Sequence, residues 1–580
     1  MCGIIGYIGK ENVSDILIEG LKKLEYRGYD SAGIALKGKD IQIIKSLGKI
    51  SNLEDKVSGT KLIDSNMGIA HTRWATHGEA SEVNAHPHRI GKITLVHNGI
   101  IENANALREK LSKEGVKFNT NTDTEVIAGL IDYYYDGDMV KAIEKAIKDI
   151  KGSYALAIIC DDSDELYAVR CESPLILGVG NDEYFVTSDI SAILNQTNKY
   201  VLIGKNEIVK IDKNGYSITK DGKNIDRKVE VSDLGLEDTD LHGYDHYMMK
   251  EIQEEPVLVD KLIHKYINNL DLLPDISKYE AIHIVGCGSA YYAGMIGKNL
   301  FEDDGIDVAI DVASEYRYRN IKYNKKTLVI LISQSGETAD TIAAMRMANE
   351  SGADTLAIVN APESTIARES NYKINIEAGR EVAVATTKAF ILQVLILSLL
   401  SYKVNKTKDY LKDIEKLPQQ LKVLLDKTGF YKKLADAIYT EEDVFFIGRK
   451  VDYAISLEGS LKLKEVSYIH SDAYQAGELK HGTISLVNKD TIVFAIVTDD
   501  SIKDKTISNL EEVISRGAKP IYVGTEDVNY EDKIIIPKID KKLQPILAVP
   551  PLQMIAYFVA EKRGCDIDKP KNLAKSVTVE

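Results

Sequence analysis

One pattern occurs twice in the second half of the chain, and it restricts the fold more than any other feature. Ala281–Val285 is a short apolar run ending in Gly286-Cys287-Gly288-Ser289, followed by a helical stretch. Leu328–Ile332 is a second run, followed by Ser333-Gln334-Ser335-Gly336-Glu337-Thr338 and a helical stretch to about Glu350; Thr355–Val359 is a third. The pattern then returns: Val444–Ile447 with Gly448, a long helix, Thr491–Val497, a helix ending at Arg516-Gly517-Ala518, and Pro520–Val523. Gly286 to Gly352 is 66 residues and Gly448 to Gly517 is 69, and each helix-ending glycine is followed by alanine and a new strand. Strand, small-residue turn, helix, strand predicts a doubly wound parallel sheet. Two tandem α/β domains of one fold account for the matched spacings.

The first 235 residues read as mixed α and β. Val13, Ile16, Leu17, Gly20, Leu21 and Leu24 share one face of a helix predicted over Val13–Tyr26. Cys2–Ile8, Ser31–Leu36, Ile93–Val96, Ser153–Cys160 and Tyr184–Thr187 read as strands. Several are separated by turns too short for a crossover helix, so antiparallel pairing is predicted. Residues 230–243 are acidic and poor in apolar side chains, the composition of a linker. At roughly 150 residues per domain, 580 residues predict about four domains or three large ones.

The net charge of −15 argues against a general nucleic-acid binder. Five cysteines, at 2, 160, 171, 287 and 565, form no CxxC pair, which disfavours a disulfide framework or a structural zinc and fits a reducing cytosol. The most apolar segment, Ala389–Tyr402, includes Gln393 and is too short to span ~30 Å of hydrocarbon. The N-terminus has no basic segment and no long apolar run, so no signal peptide is expected. GxxxxGK[ST] and GxGxxG are both missing, so ATP and NAD are not implied. A cytoplasmic protein without metal or cofactor is expected.

Cys2 follows the initiator methionine and precedes Gly3. Removal of Met1 leaves it an α-amine titrating near 7.7–8.0, against roughly 8.5 for the thiol. One residue then carries a nucleophile and its base; an ordinary buried cysteine at a strand start fits the same position. The surrounding loops are dense in polar groups: His71-Thr72-Arg73-Trp74-Ala75-Thr76-His77-Gly78, Asn84-Ala85-His86-Pro87-His88, His97-Asn98-Gly99 and Asn121-Thr122-Asp123-Thr124-Glu125. Four of the eleven histidines fall within 71–88. With Cys2-Gly3-Ile4-Ile5-Gly6 and Tyr26-Arg27-Gly28-Tyr29-Asp30-Ser31-Ala32-Gly33, these segments resemble the glutaminase domain of class II, N-terminal-nucleophile glutamine amidotransferases. The resemblance implies an α+β domain with an αββα sandwich over 2–235. It makes Cys2 the nucleophile, Asn98 and the Gly99 N–H the oxyanion hole, Arg73 the partner of the glutamine α-carboxylate and Asp123 that of its α-amine. Trp74, Thr76, His77 and His86 complete the glutamine-binding set.

In the repeated half, the turns 286–289 and 333–338 follow neighbouring strands, where hydroxyls and N–H groups suit a phosphate; their serines also suit plain helix N-caps. Glu458, Lys462 and Glu465 are spaced i, i+4 and i, i+7 on one helix face, either as a surface ion-pair ladder or, given Leu457, Leu461, Leu463 and Val466, as a buried proton-transfer site. Together with Ala313–Arg319, Thr387–Phe390, Gly477–Gly482 and Asn572–Glu580, these segments resemble the sugar isomerase domains of the glucosamine-6-phosphate synthase family. The resemblance covers essentially the whole chain. It implies a linker at 236–248, two αβα isomerase domains with parallel sheets at 249–408 and 409–566, and an active-site tail at 567–580.

The implied activity is glutamine-dependent amination and isomerisation of fructose 6-phosphate to glucosamine 6-phosphate, an amino-sugar biosynthetic step, with ammonia carried through an internal channel gated by Trp74. The sugar phosphate would rest on Ser289, Ser333, Gln334, Ser335, Thr338 and Thr387. His481 of the partner subunit would assist ring opening, so a homodimer is expected. Lys575 is a candidate Schiff-base amine, and Glu465 the proton carrier between C1 and C2, supported by Glu458 and Lys462. Two positions depart from the family pattern: Ala290 stands where a serine is usual and Lys571 where an arginine is usual. The phosphoribosyltransferase loop and nucleotide pyrophosphate loop of other class II amidotransferases do not appear after residue 240. A sugar-phosphate sensor would not need a terminal cysteine together with Glu465, His481 and Lys575.

Overall fold

The computed structural model describes residues 2–74, 78–232, 241–323 and 326–578. The chain divides into two compact units, Met1–Asp238 with Ser576–Glu580, and Thr239–Lys575.

The N-terminal unit holds an eight-stranded and a seven-stranded sheet whose described pairings are antiparallel. Alternation along the strands sorts side chains into layers. Ile5 and Tyr7 of strand Gly3–Ile8 face outward onto Leu17 and Leu21 of helix Val13–Leu24. Ile4 and Ile8 point inward and pack with Val96, Ala155, Ala157 and Ile159 of the other sheet. Leu156 and Ile158 point the opposite way, against Val126 and Ile143 on helices Asp123–Tyr134 and Met139–Asp149. The result is a four-layer αββα sandwich, antiparallel as the short turns predict. Helix Val13–Leu24 ends two residues before Tyr26, in a 3₁₀ turn over Glu25–Arg27.

The second unit contains two five-stranded parallel sheets of one topology. In space the first runs Asp307–Val312, Ala281–Gly286, Thr327–Ser333, Asp354–Val359, Tyr372–Asn375. The second runs His470–Gln475, Asp443–Gly448, Ile492–Val497, Lys519–Gly524, Asp532–Ile535. Each has strand order 2-1-3-4-5, and the order reverses between strands 1 and 3. The sequence pattern had marked strands 1, 3 and 4 of each sheet. Strands 2 and 5 lie at the edges, and one of them, His470-Ser471-Asp472-Ala473-Tyr474-Gln475, is mostly polar, so it gives no apolar run.

Helix Lys388–Val404 is buried from Lys388 to Tyr402, the core helix expected of the apolar segment. Among the described residues, no helix is long and apolar enough to cross a membrane. Of the segment read as a linker, 236–240 lies outside the described residues, and Tyr247 and Met248 already belong to helix Tyr247–Ile267. The boundary drawn at 408/409 falls within helix Lys408–Ile414.

A buried cation fastens the second unit. Lys542 is 1% exposed, and its Nζ donates to Asp304 Oδ1 at 2.7 Å and to Ser401 Oγ at 2.7 Å. Lys542→Ala strands the Asp304 carboxylate and is expected to cost about 3–5 kcal/mol, read by urea denaturation. Lys542→Met combined with Asp304→Leu should recover most of that loss.

Candidate active sites

Strand pairing builds the first site. Gly3 is opposite Thr72, which sets Cys2 beside Arg73 and Trp74. The Trp74 N–H donates to Cys2 Sγ at 3.3 Å. Asn98, on strand Ile93–Ile101, donates from Nδ2 to the Cys2 carbonyl at 3.0 Å. Gly99 follows with φ +138°, and a Cβ there would stand 2.1 Å from the Ser153 carbonyl oxygen, so only glycine presents its N–H in this position. Asp123 opens helix Asp123–Tyr134, where its Oδ2 accepts from the Ile101 N–H at 2.9 Å. The Arg73 guanidinium donates to the Gly78 and Glu79 carbonyls at 3.0 and 3.2 Å. The structure thus gathers Cys2, Arg73, Trp74, Asn98, Gly99 and Asp123. Thr76 and His77 lie outside the described residues. Burial pushes the Cys2 thiol up, against the opposing pull of the Trp74 N–H and Arg73.

Behind Asn98 lies a group of buried imidazoles, of which only His86 had been assigned a role. His71 Nε2 is 3.0 Å from the His97 carbonyl and 3.1 Å from Asn98 Oδ1. A carbonyl can only accept, so His71 Nε2 carries the proton. The Asn98 amide then turns its oxygen to His71 and its NH₂ to the cysteine. The His71 and His86 rings are 4.0 Å apart, and His86 Nε2 and His97 Nδ1 both meet Thr124 Oγ1, at 3.2 and 3.1 Å. His88 Nε2 meets Thr122 Oγ1 at 3.3 Å. Burial is the main reason that His71 falls to about 3 and that His86 and His88 fall well below the ordinary imidazole value. The signal in the sequence was the crowding of histidines itself, which does not say which ones face a ligand.

The second site lies in the other unit. The Lys462 ammonium sits 2.5 Å from Glu465 and 3.6 Å from Glu458, and Lys462 and Glu458 are fully buried. The row is therefore internal, not the surface ladder. Ser289 Oγ, from the turn after the first strand, donates to Glu458 Oε1 at 3.1 Å. Burial raises the Glu458 carboxyl to about 7, against the pull of Lys462. In the turn 333–338, Ser333 Oγ accepts from the Gly336 N–H and lies 3.0 Å from Thr338 Oγ1, and Ser335 Oγ accepts from the Glu337 N–H at 3.2 Å. The Gln334 carbonyl accepts from the Asn360 N–H.

Lys575 pairs with Glu381 at 2.5 Å, both buried. The sequence reading missed Glu381, since one acid in Gly379-Arg380-Glu381-Val382 carries no periodic signal. Glu381 also accepts from the backbone N–H groups of Thr387 and Ala389, at 3.0 and 3.1 Å. Thr387 is thereby tied to the partner of Lys575. His481 closes a 3₁₀ turn with its side chain exposed, and the structure does not bring it to the buried row within this chain.

The histidine group has a measurable consequence. In the folded unit His71, His86 and His88 stay neutral, whereas unfolded they protonate below about 6.5. The unfolded state then binds more protons, so stability falls as pH drops from about 6.5 toward 3, by about 1.4 kcal/mol per pH unit per histidine. Trp74 is the single tryptophan and lies in this unit. Denaturation followed by its fluorescence should show that slope, and His88→Gln should reduce it by one histidine's share.

The model of the SIS domain family matches residues 275–402 and again 437–558, and that of the glutamine amidotransferase domain matches 71–195. The chain is 46% identical over 609 residues to the glutamine–fructose-6-phosphate aminotransferase [isomerizing] of Clostridium tetani, covering 100% of both chains. It is 40% identical over 605 residues to the protein of that name from Thermus thermophilus, again over 100% of both. A solved structure, the C-terminal domain of glucosamine-fructose-6-phosphate aminotransferase from Francisella tularensis, matches with TM-score 0.53 at 34% identity, covering 56% of this chain and 99% of that one. An amidotransferase domain followed by two SIS domains, with such relatives along the full length, makes the chain a member of the glutamine–fructose-6-phosphate aminotransferase (isomerizing) family.

Proposed function

We propose that the chain converts glutamine and fructose 6-phosphate to glutamate and glucosamine 6-phosphate at two separate centres. The observation that carries this reading is the internal row Glu458–Lys462–Glu465 with Ser289 on Glu458, in a chain whose other unit sets Cys2 against Asn98. A binding protein has no use for either.

At the first centre, Arg73 takes the glutamine α-carboxylate through its planar fork and Asp123 takes the α-ammonium. The α-amine of Cys2, left by removal of Met1, accepts the thiol proton. The thiolate attacks the side-chain amide, and the oxyanion is held by Asn98 Nδ2 and the Gly99 N–H, a preorganised donor being worth about 10²–10³ in rate. Ammonia leaves, and water releases glutamate from the thioester. His86 lies within the support of this centre, and Thr76 and His77 complete the proposed glutamine-binding set. Trp74, against the sulfur, is the candidate gate of an ammonia channel.

At the second centre the phosphate rests on Ser333, Gln334, Ser335 and Thr338, with Ser289 and Thr387 at the margin. Ring opening brings the ketone to Lys575, whose amine condenses with C2 to a Schiff base and releases the C2 oxygen as water; ammonia then displaces the lysine amine, leaving an imine at C2. The imine acidifies the C1 protons, and Glu465 carries one from C1 to C2, giving the aldose. The buried Lys462 lies between Glu465 and Glu458 and keeps the row together. His481 of the partner subunit supplies the ring-opening proton in a homodimer, in keeping with its exposure here. The glutaminase role belongs to 2–235, the isomerase roles to 249–408 and 409–566, and the tail 567–580 carries Lys575.

Glucosamine 6-phosphate formed from the two substrates is the direct test; glutamate without amino sugar would remove the acceptor assignment. Cys2→Ala should abolish glutamine-dependent synthesis and leave sugar-phosphate isomerisation, while Glu465→Gln should do the reverse, keeping glutamate release. Active enzyme that retains Met1 would exclude the α-amine as base.

A further inference from the structure

The second repeat has a crevice of its own, which the aminotransferase chemistry does not use. Its first strand, Asp443–Gly448, leads through Arg449-Lys450 into helix Val451–Ser467, and its third, Ile492–Val497, leads into Thr498-Asp499-Asp500-Ser501. These turns stand where the strand order reverses, the place at which open α/β sheets collect ligands. A cavity of about 410 Å³ opens there, within the size range of small-molecule sites.

The two repeats treat this position alike. Gly288, before the first helix of the first repeat, has φ +55° and ψ −129°. Lys450, before the first helix of the second, has φ +49° and ψ −122°. Glycine adopts that conformation freely. A lysine there is strained, and such strain persists where surrounding structure holds it for a purpose. The walls are reciprocal as well. Glu458, on the first helix of the second repeat, reaches Ser289 of the first crevice at 3.1 Å. Asn299, Leu300 and Asp303, on the first helix of the first repeat, line the second.

The lining carries both signs of charge. Lys450 is 4.0 Å from Asp499, Lys538 is 2.5 Å from Asp500 and Lys541 is 2.7 Å from Asp303. The three lysine side chains are more than half exposed, and ion pairs of this kind hold weakly. An arriving dianion can take over the ammonium groups, and the released carboxylates can accept from hydroxyls or an amine. The floor is firm, because the buried Asp452 carboxylate accepts from the Thr498 N–H at 2.9 Å, the Thr498 hydroxyl at 2.5 Å and the Asp499 N–H at 3.3 Å.

We propose that this crevice is a second, non-catalytic binding site for a phosphorylated sugar or amino sugar, with Lys450, Lys538 and Lys541 on the phosphate and Asp499 and Asp500 on the hydroxyls or amine. The proposal rests on the reading of the first crevice only for the choice of probe. Titration of the full chain with glucosamine 6-phosphate should give two sites per chain. Lys450→Ala with Lys541→Ala should weaken one of them about tenfold per lysine removed, leave the other, and leave turnover at saturating substrates intact. Lys450→Gly should raise the unfolding temperature, by relief of backbone strain, and still weaken the second site; a lysine kept only for the turn would give the rise without the weakening. One site per chain, or two sites indifferent to these lysines, overturns the proposal. Failure of the aminotransferase reading would show separately, as absent turnover with the lysine-dependent site intact.

Discussion

Lys575 could not hold its place without Glu381. An ammonium withdrawn from water costs several kcal/mol unless a counter-charge meets it with good geometry. Glu381 provides that charge at 2.5 Å, and it is itself held by the N–H groups of Thr387 and Ala389 at the start of helix Lys388–Val404. Burial pushes the Glu381 carboxyl up, but Lys575 and these donors outweigh it and keep it low. Nearby, Glu251 and Glu255 are buried and pushed up, Glu251 also by the Glu381 charge itself. One carboxylate remains ionised because its neighbours give up their charge, a division that follows from placing several acids around few cations in a dry interior.

The two centres owe their precision to different forces. Around Cys2 the backbone does the positioning: the pairing of Gly3 with Thr72 and the run of Asn98 into Gly99 put donors beside that residue. Ladder register tolerates little slip, because one residue of shift turns every side chain to the other face. In the second unit side-chain charges position one another, and Glu458, Lys462 and Glu465 stand on a helix buried on nearly all sides.

How much of this was legible in the sequence follows the same division. Strands covered on both faces, such as Thr327–Ser333 and Ile492–Val497, announce themselves as apolar runs, so the parallel sheets and their repetition were readable. Edge strands such as His470–Gln475 were not, since half their surface meets water. In the N-terminal unit Ser31–Lys37 is buried at every position, so alternation could not tell its two faces apart, and the four layers came from the family resemblance instead. The i, i+4 spacing predicted the charged row, but only packing decides that it is internal. Glu381 carried no signal, and His71 only the crowding of histidines around it, because each acts through a contact made across the fold.

The neutral imidazoles bear on how the glutamine reaction responds to acidity. His71, His86 and His88 are all held far below the ordinary histidine range, so none changes charge near neutrality while the unit is folded. A limb in the pH–rate profile of glutamine cleavage near neutral pH therefore does not come from these three, although they are the imidazoles packed behind Asn98. Assigning such a limb to His71, His86 or His88 by its position on the pH axis alone would misidentify the group.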